Sequence, residues 1–226
     1  MPYFELSKDE LTFPPAYFAD LDGLVAVGGE ISSERILLAY SSGLYYWHFP
    51  LKHIKWWSPD PRTVLLLNAF ELNENRLEVL LSQYRVTFNT EFEQSLRLCQ
   101  HVHNIKESMN NNWLSERAFR VFMELHKKGF AHSVEIWMDH QLVGGLFGVA
   151  IGTLFFGEYI FSIAEHADEL AVLSLIKKLR ERDFELIDMQ KPTVFLEGIE
   201  YDELSRIEYV SICKENKEKH IKTITL

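Results

Sequence analysis

The sequence is poor in cysteine and contains no long apolar run. Its 226 residues include two cysteines, Cys99 and Cys213, which are far apart and form no CxxC pair. A disulfide framework or a zinc site is therefore not expected. No run of about 18 apolar residues occurs, as a transmembrane helix would need, and acids stand at the start where a secretory signal would need an apolar core. We expect a cytoplasmic protein without a membrane partner.

Basic residues are also scarce. Lys and Arg total 23 against 33 Asp and Glu, and the formal net charge is −10. This balance argues against nucleic acid as a partner, because phosphate binding depends on Lys and Arg. A local basic patch can nevertheless form on an acidic protein. The candidates for such a patch are Lys52, Lys55, Arg62 and the tail over residues 214–222.

What the sequence does contain is a series of clear helix and strand patterns. Residues 1–62 are rich in aromatics, Gly and Pro, and their one strong helix pattern lies between Ser32, a plausible N-cap, and the stop Gly43. From Thr63 the chain changes to buried strands and amphipathic helices. We therefore predict a small N-terminal domain over residues 1–62 and a larger domain over residues 63–226.

The larger domain has the element order of an α/β (α+β) fold. Strands are predicted at 63–67, 86–88, 132–138, twice within 142–161, and at 184–190, and helices at 77–84, 91–101, 115–128 and 165–182. Antiparallel strands followed by a helix and a further strand are typical of an acyltransferase sheet of the GNAT type. The tail after this last strand is charged and mixed.

Five stretches of sequence, which together cover most of the chain up to about Gln190, suggest a specific family. They are FPPAY (Phe13–Tyr17) with DGLVAVGGE (Asp22–Glu30), WWSPDPR (Trp56–Arg62), HKKGFAHSVEIW (His126–Trp137) with LVGGLFGVA (Leu142–Ala150), FFGEYIFS (Phe155–Ser162) and FELIDMQ (Phe184–Gln190). In this order they resemble the leucyl/phenylalanyl-tRNA–protein transferases.

The resemblance implies a GNAT-like C-terminal domain behind a small N-terminal one. It implies an aminoacyltransferase that moves Leu, Phe and sometimes Met from aminoacyl-tRNA to proteins that begin with Arg or Lys, which tags them for degradation by the N-end rule. It also implies that no metal or organic cofactor is needed. The expected partners are the 3′ end of aminoacyl-tRNA and the acceptor protein, and we expect a monomer.

Aminolysis of an ester requires positioned polar groups, and two strands supply candidates. Asp188 and Gln190 are two apart in an apolar strand, so we expect both side chains on one face; the alternative is that they mark the solvent edge of the strand. By the resemblance, Asp188 draws the proton from the attacking amine and Gln190 supports it. Glu158 would by the same resemblance bind the amino group of the aminoacyl moiety or the terminal adenosine region, unless it is a strand-end acid.

Selection of Leu and Phe requires an apolar pocket of fixed depth. Possible walls are Leu146, Phe161, Leu175 and Ile187, although each could be plain core. Trp47 and Trp113 match family positions near the nucleotide and could stack its adenine, with core packing as the alternative. Ser162 is a further substrate-binding candidate. No metal site is expected, because His126 and His132 lack a third ligand.

The sequence departs from the family pattern where members usually carry a basic HxSRSLRK-like segment. In residues 68–76 only Arg76 is basic, while Glu71 and Glu74 are acidic. The alternative function is therefore a divergent GNAT-like relative with weakened tRNA binding, which uses another aminoacyl donor or acts as a binding module. A basic rim around the cleft would favour the transferase, and an acidic rim would favour the relative.

Overall fold

The computed structural model describes residues 3–47, 53–106, 114–192 and 199–218. Its strands are β1 (Phe4–Leu6), β2 (Leu24–Gly28), β3 (Tyr45–Trp47), β4 (Lys55–Trp57), β5 (Arg62–Leu66), β6 (Arg85–Phe88), β7 (Ala131–Met138), β8 (Gln141–Ile151), β9 (Leu154–Ser162), β10 (Leu186–Gln190) and β11 (Asp202–Leu204). Its helices are α1 (Ser33–Ser41), α2 (Glu74–Leu81), α3 (Phe92–Lys106), α4 (Glu116–Lys127), α5 (Ala167–Arg180) and α6 (Arg206–Glu218).

The first strands form a small sheet of order β1-β2-β4-β3. Its core is aromatic: Trp56 is fully buried, meets the Phe13 ring edge-on at 4.8 Å, and donates from Nε1 to the Gly28 carbonyl at 3.1 Å. The helix predicted after Ser32 is confirmed as α1. The Ser32 hydroxyl accepts from the Arg35 amide at 3.2 Å, and Gly43 beyond the helix has φ +77°.

The other strands form a seven-stranded sheet of order β11-β5-β10-β9-β8-β7-β6. Neighbouring strands are antiparallel except for β9 and β10, which are parallel and are joined by the crossover helix α5. Helices α2 and α5 pack on one face, whereas α3 and α4 pack on the other. The predicted α/β class, with antiparallel strands before a helix and a further strand, is confirmed.

Two local predictions had different outcomes. The turn between β7 and β8 is confirmed: Asp139 and His140 have φ values of +47° and +65°, as a tight hairpin turn requires. The helix predicted at residues 77–84 instead begins at Glu74 and ends at Leu81. The reason is Asn73, whose side chain accepts from the Arg76 amide at 3.0 Å and starts the helix one turn earlier.

The charged tail forms β11, which pairs with β5, and helix α6. Helix α6 buries Tyr209, Cys213 and Asn216, which lie on one helical face. Asn216 donates to the Ile151 carbonyl at 2.8 Å and accepts from the Thr153 amide at 2.8 Å. These bonds fix the end of α6 to the turn between β8 and β9.

Candidate active site

An apolar cavity of about 180 Å³ lies where β8, β9, β10 and α5 meet Trp47 of the small sheet. An apolar cavity of about 150 Å³ accommodates benzene, so this one has room for a single Leu or Phe side chain. The lining residues are Trp47, Leu146, Phe147, Phe155, Gly157, Glu158, Tyr159, Ile160, Val172, Leu175, Ile187, Met189 and Gln190.

The cavity brings together six of the residues that the sequence singled out. They are Trp47, Leu146, Glu158, Leu175, Ile187 and Gln190. Phe161 lies elsewhere. It is fully buried in the core and is not among the described lining residues, because the neighbouring Ile160 takes the place in the cavity. Trp113 lies outside the described residues.

Ser162 also lies away from the described lining of the cavity. Its hydroxyl donates to the Ala164 carbonyl at 2.7 Å and accepts from the Asp168 amide at 3.3 Å. It therefore shapes the entry into α5. Among the described residues, no group of three or more His, Cys, Asp or Glu side chains could hold a metal ion.

Asp188 is fully buried, and the side chains of two residues donate hydrogen bonds to its carboxylate. Arg62 donates from Nε and Nη2 to its two carboxylate oxygens, at 2.7 Å and 2.5 Å, and the Tyr209 hydroxyl donates at 2.7 Å. The guanidinium lies over the Tyr45 and Tyr209 rings, 4.8 Å and 4.6 Å from their centroids. Burial lowers the pKa of Arg62, but Asp188 outweighs this effect and the pKa is raised above its ordinary value. Arg62 therefore keeps its positive charge although it is buried. The alternative that Asp188 marks a solvent edge is therefore excluded, and Arg62, a candidate for a basic surface patch, is buried and cannot contribute to one.

The expectation that Asp188 and Gln190 share one face is also corrected. The register of β10 against β5 shifts between these two residues, and Gln190 has φ +64°. The alternation of side chains is broken at this bulge. As a result the Gln190 side chain lines the cavity beside Met189, whereas the Asp188 carboxylate is enclosed by Arg62 and Tyr209.

Two hydrogen bonds fix the unusual conformation of Gln190. Its backbone amide donates to Asp188 Oδ1 at 2.9 Å, and its side-chain Nε2 donates to the Gly157 carbonyl at 3.1 Å. A left-handed backbone is uncommon for a residue with a side chain, so surrounding contacts must hold it. Asp188 supplies one of these contacts directly.

Glu158 is the acidic group of the cavity wall. Its Oε1 accepts from the Tyr40 hydroxyl, and the Tyr40 ring stacks on Phe156 with centroids 5.0 Å apart. No described cation forms an ion pair with it. Burial raises the pKa of Glu158 to about 8; the Tyr40 hydrogen bond lowers it, and the Asp188 charge raises it further. Near pH 7 burial therefore favours the protonated form of this carboxyl group.

Sequence reasoning missed several residues of this region. Ile160 gave no signal, because the register of β9 against β8 shifts at Glu158 and breaks the alternation of side chains. Val172 could have been found, since it precedes Leu175 by one helical turn. Tyr40 and Tyr209 gave no signal, because their partners are remote in sequence.

The chain is similar to a known protein family over most of its length. A family model described as leucyl/phenylalanyl-tRNA protein transferase matches residues 64–214, and a model of that family's N-terminal domain matches residues 29–60. The chain belongs to the leucyl/phenylalanyl-tRNA–protein transferase family. The resemblance found from the five sequence stretches is thereby confirmed.

Three members of this family illustrate the similarity, all named leucyl/phenylalanyl-tRNA–protein transferase. The protein of Syntrophobacter fumaroxidans is 39% identical over 96% of this chain and 92% of its own. That of Pseudomonas fluorescens is 41% identical over 89% of each chain. That of Flavobacterium johnsoniae is 37% identical over 93% of this chain and 99% of its own.

A solved structure of FemX is also similar, with a TM-score of 0.47, 10% identity, and coverage of 59% of this chain and 53% of that one.

Within the described residues, none of the helices combines the length and the apolar character that crossing a lipid bilayer demands.

Proposed function

We propose that this protein moves Leu or Phe from aminoacyl-tRNA to the N-terminal Arg or Lys of an acceptor protein, which marks that protein for degradation. It does so in the cytoplasm, as a monomer and without a cofactor. The observation that carries the proposal is the cavity of about 180 Å³, whose apolar walls carry Glu158 and Gln190, in a chain of this family.

The aminoacyl side chain of the donor enters the cavity between Leu146, Leu175 and Ile187. An apolar pocket of this size selects by shape. One methylene group added to or removed from the bound side chain changes the binding free energy by about 1–3 kcal/mol. The volume fits Leu and Phe, whereas the rigid walls disfavour side chains that branch at Cβ.

Glu158 binds the α-ammonium group of the donor. An ammonium ion favours the charged form of a neighbouring carboxylate, so its arrival lowers the raised pKa of Glu158. The Tyr40 hydroxyl keeps the carboxylate in place. Tyr40 and Trp47 both belong to the small domain that we propose for residues 1–62. Trp47 stacks the terminal adenine of the donor. The same adenine role for Trp113 remains a proposal.

The reaction forms a bond between the acceptor nitrogen and the ester carbonyl carbon and breaks the bond from that carbon to the ribose oxygen. The proton that leaves the nitrogen ends on that oxygen. Gln190 lines the cavity and contacts the reacting groups in this proposal. Asp188 was expected to take the proton directly, but it is fully buried and its oxygens already accept from Arg62, Tyr209 and the Gln190 amide. We therefore assign it to positioning Gln190.

A transfer assay tests this function. The protein is incubated with leucyl-tRNA and a peptide that begins with Arg, beside a peptide identical except for an N-terminal Ala, and the products are read by mass spectrometry. We expect one added leucine on the Arg peptide alone, and much less with Gln190→Ala. No addition by folded protein at low salt and high enzyme concentration contradicts the proposal.

One observation favours the second candidate, a divergent relative with weakened tRNA binding that uses another aminoacyl donor. Arg76, the basic residue of the acidic segment 68–76, donates from Nε and Nη2 to Glu169 at 2.8 Å and 2.5 Å. It is therefore not free to bind phosphate. Transfer from a short aminoacylated oligonucleotide as efficient as from leucyl-tRNA would indicate that the body of the tRNA contributes little.

A further inference from the structure

A second, more open pocket adjoins the apolar cavity. It shares Trp47, Met189 and Gln190 with the cavity, and its other lining residues include Trp57 and Lys191. A ligand that fills the cavity can therefore extend past Gln190 into this second pocket. Any group found there lies next to the proposed reaction centre.

Two lysines lie over the indole of Trp57, which lines this second pocket. The Nζ atoms of Lys55 and Lys191 each lie 5.6 Å from the centroid of a Trp57 ring. Lys55 belongs to β4 of the small sheet, and Lys191 directly follows β10 of the large sheet. Each ammonium group is attracted by the indole ring, but the two positive charges repel each other.

No carboxylate of the described residues neutralises these two charges. Among the described residues, the lysines that form ion pairs are Lys128 and Lys177. Lys55 is half-buried and Lys191 is exposed. On a chain of net charge −10, two cations that form no ion pair among the described residues, one of them lining the second pocket, favour an anionic ligand.

We propose that Lys55, Trp57 and Lys191 form an anion site, here called the lysine rim, which holds the phosphodiester groups at the 3′ end of the aminoacyl-tRNA donor. The inference rests on the proposed function for the identity of the donor. With the aminoacyl group in the cavity and the ribose at Gln190, the chain of phosphates continues into the second pocket. The rim thus supplies the local positive charge that segment 68–76 lacks.

The acceptor protein is a poorer occupant of the lysine rim. Its N-terminal Arg or Lys carries a positive charge in addition to its α-amino group, and both lysines would repel it. The donor phosphates carry the complementary charge. The second pocket is therefore assigned to the donor.

The first test measures binding without catalysis. A fluorescent single-stranded RNA that ends in CCA is titrated with the protein at several salt concentrations, and Lys55→Gln/Lys191→Gln is compared with the wild type. Single-stranded binding loses about 0.7 of its log–log salt slope for each lost phosphate contact. We expect a slope smaller by about 1.4 and a dissociation constant about tenfold higher at low salt.

Two control variants make this binding test specific. Lys55→Arg/Lys191→Arg keeps both charges and should keep the salt slope. Lys178→Gln removes another lysine that lies over an aromatic ring, with Nζ 5.4 Å from the Phe88 centroid, on α5 and outside both pockets. It should bind the RNA like the wild type. An unchanged slope in the Gln double variant overturns the lysine rim.

The second test uses transfer to the Arg peptide from two donors, leucyl-tRNA and the leucyl ester of adenosine, which has no phosphate. In the Gln double variant, KM should rise for leucyl-tRNA and stay constant for the adenosine ester. Equal changes for both donors, or a raised KM for the peptide alone, overturn the proposal. If the wild type transfers from neither donor while the RNA salt slope falls as expected, the proposed function fails and the anion site stands.

Discussion

Two carboxylates on neighbouring strands have opposite surroundings. Asp188 on β10 is paired with Arg62 and accepts from Tyr209, so protein groups compensate its charge. Glu158 on β9 accepts from Tyr40 and forms no ion pair among the described residues; Arg62 lowers its pKa, but burial outweighs this effect and the pKa is raised to about 8. The difference separates two tasks: one carboxylate fixes the structure behind the site, and the other remains available for a cationic ligand.

The largest effect is expected when the compensated pair is broken. Asp188→Ala leaves the Arg62 guanidinium buried without a counter-charge, which should lower the free energy of unfolding by about 3–5 kcal/mol. Urea denaturation measures this change. Arg62→Met/Asp188→Leu, which removes both charges, should recover most of the stability without recovering transfer. Wild-type stability in Asp188→Ala would show that the pair does not anchor β10.

A smaller effect is expected at the other partner of Asp188. Tyr209→Phe removes one hydrogen bond to a charged group and should cost about 1.5–3 kcal/mol of stability. If Asp188 positions Gln190, kcat should fall while KM for leucyl-tRNA stays unchanged. Tyr84→Phe is the matched control, because its hydroxyl donates to the Glu165 carbonyl away from the site. A loss of stability with normal kcat would limit Tyr209 to a structural role.

The smallest effect, when it is measured over one pH unit, concerns Glu158. Its pKa is about 8 in the folded protein against the ordinary 4.5, so folding favours the protonated form. The resulting stability is present below about pH 4.5 and is lost as the pH rises to about 8, by at most about 1.4 kcal/mol per pH unit. Compared with Glu158→Gln, which cannot titrate, the wild type should therefore lose stability over this range.

Glu169 provides a control of opposite sign for the pH measurement. Its hydrogen bond from Arg76 lowers its pKa, so its contribution to stability is lost as the pH falls. Glu169→Gln should therefore change the acidic side of the stability profile and leave the range near pH 8 unaltered. A parallel pH dependence of wild type and Glu158→Gln would contradict the raised pKa of Glu158.

The sequence predicted those elements whose structure depends on residues close together in the chain. The alternation in His132–Met138 and the turn at Asp139 and His140 depend on neighbouring residues, and both were predicted. Helix α6 was not predicted. Its buried face is formed by Tyr209, Cys213 and Asn216, and because Asn216 is polar, the sequence shows no complete apolar repeat at helical spacing.

The candidate site was predictable in its residue types more than in its contacts. Glu158, Gln190 and the apolar walls stood out as polar or bulky groups within strands and a helix. The pairing of Arg62 with Asp188 joins residues 126 positions apart, which no pattern in one sequence reveals. The bulge before Gln190 was hidden for the same reason, since it depends on the register against β5.

The attachment of α6 through Asn216 determines how much of the chain the site requires. The described residues that line the two pockets end at Lys191, yet Tyr209, which holds Asp188, lies on a helix whose far end is tied to the β8–β9 turn. A protein shortened just before Asn216 would keep every one of those lining residues and lose the tie. We expect such a protein to lose transfer activity, because the helix that carries Tyr209 is no longer tied at its far end.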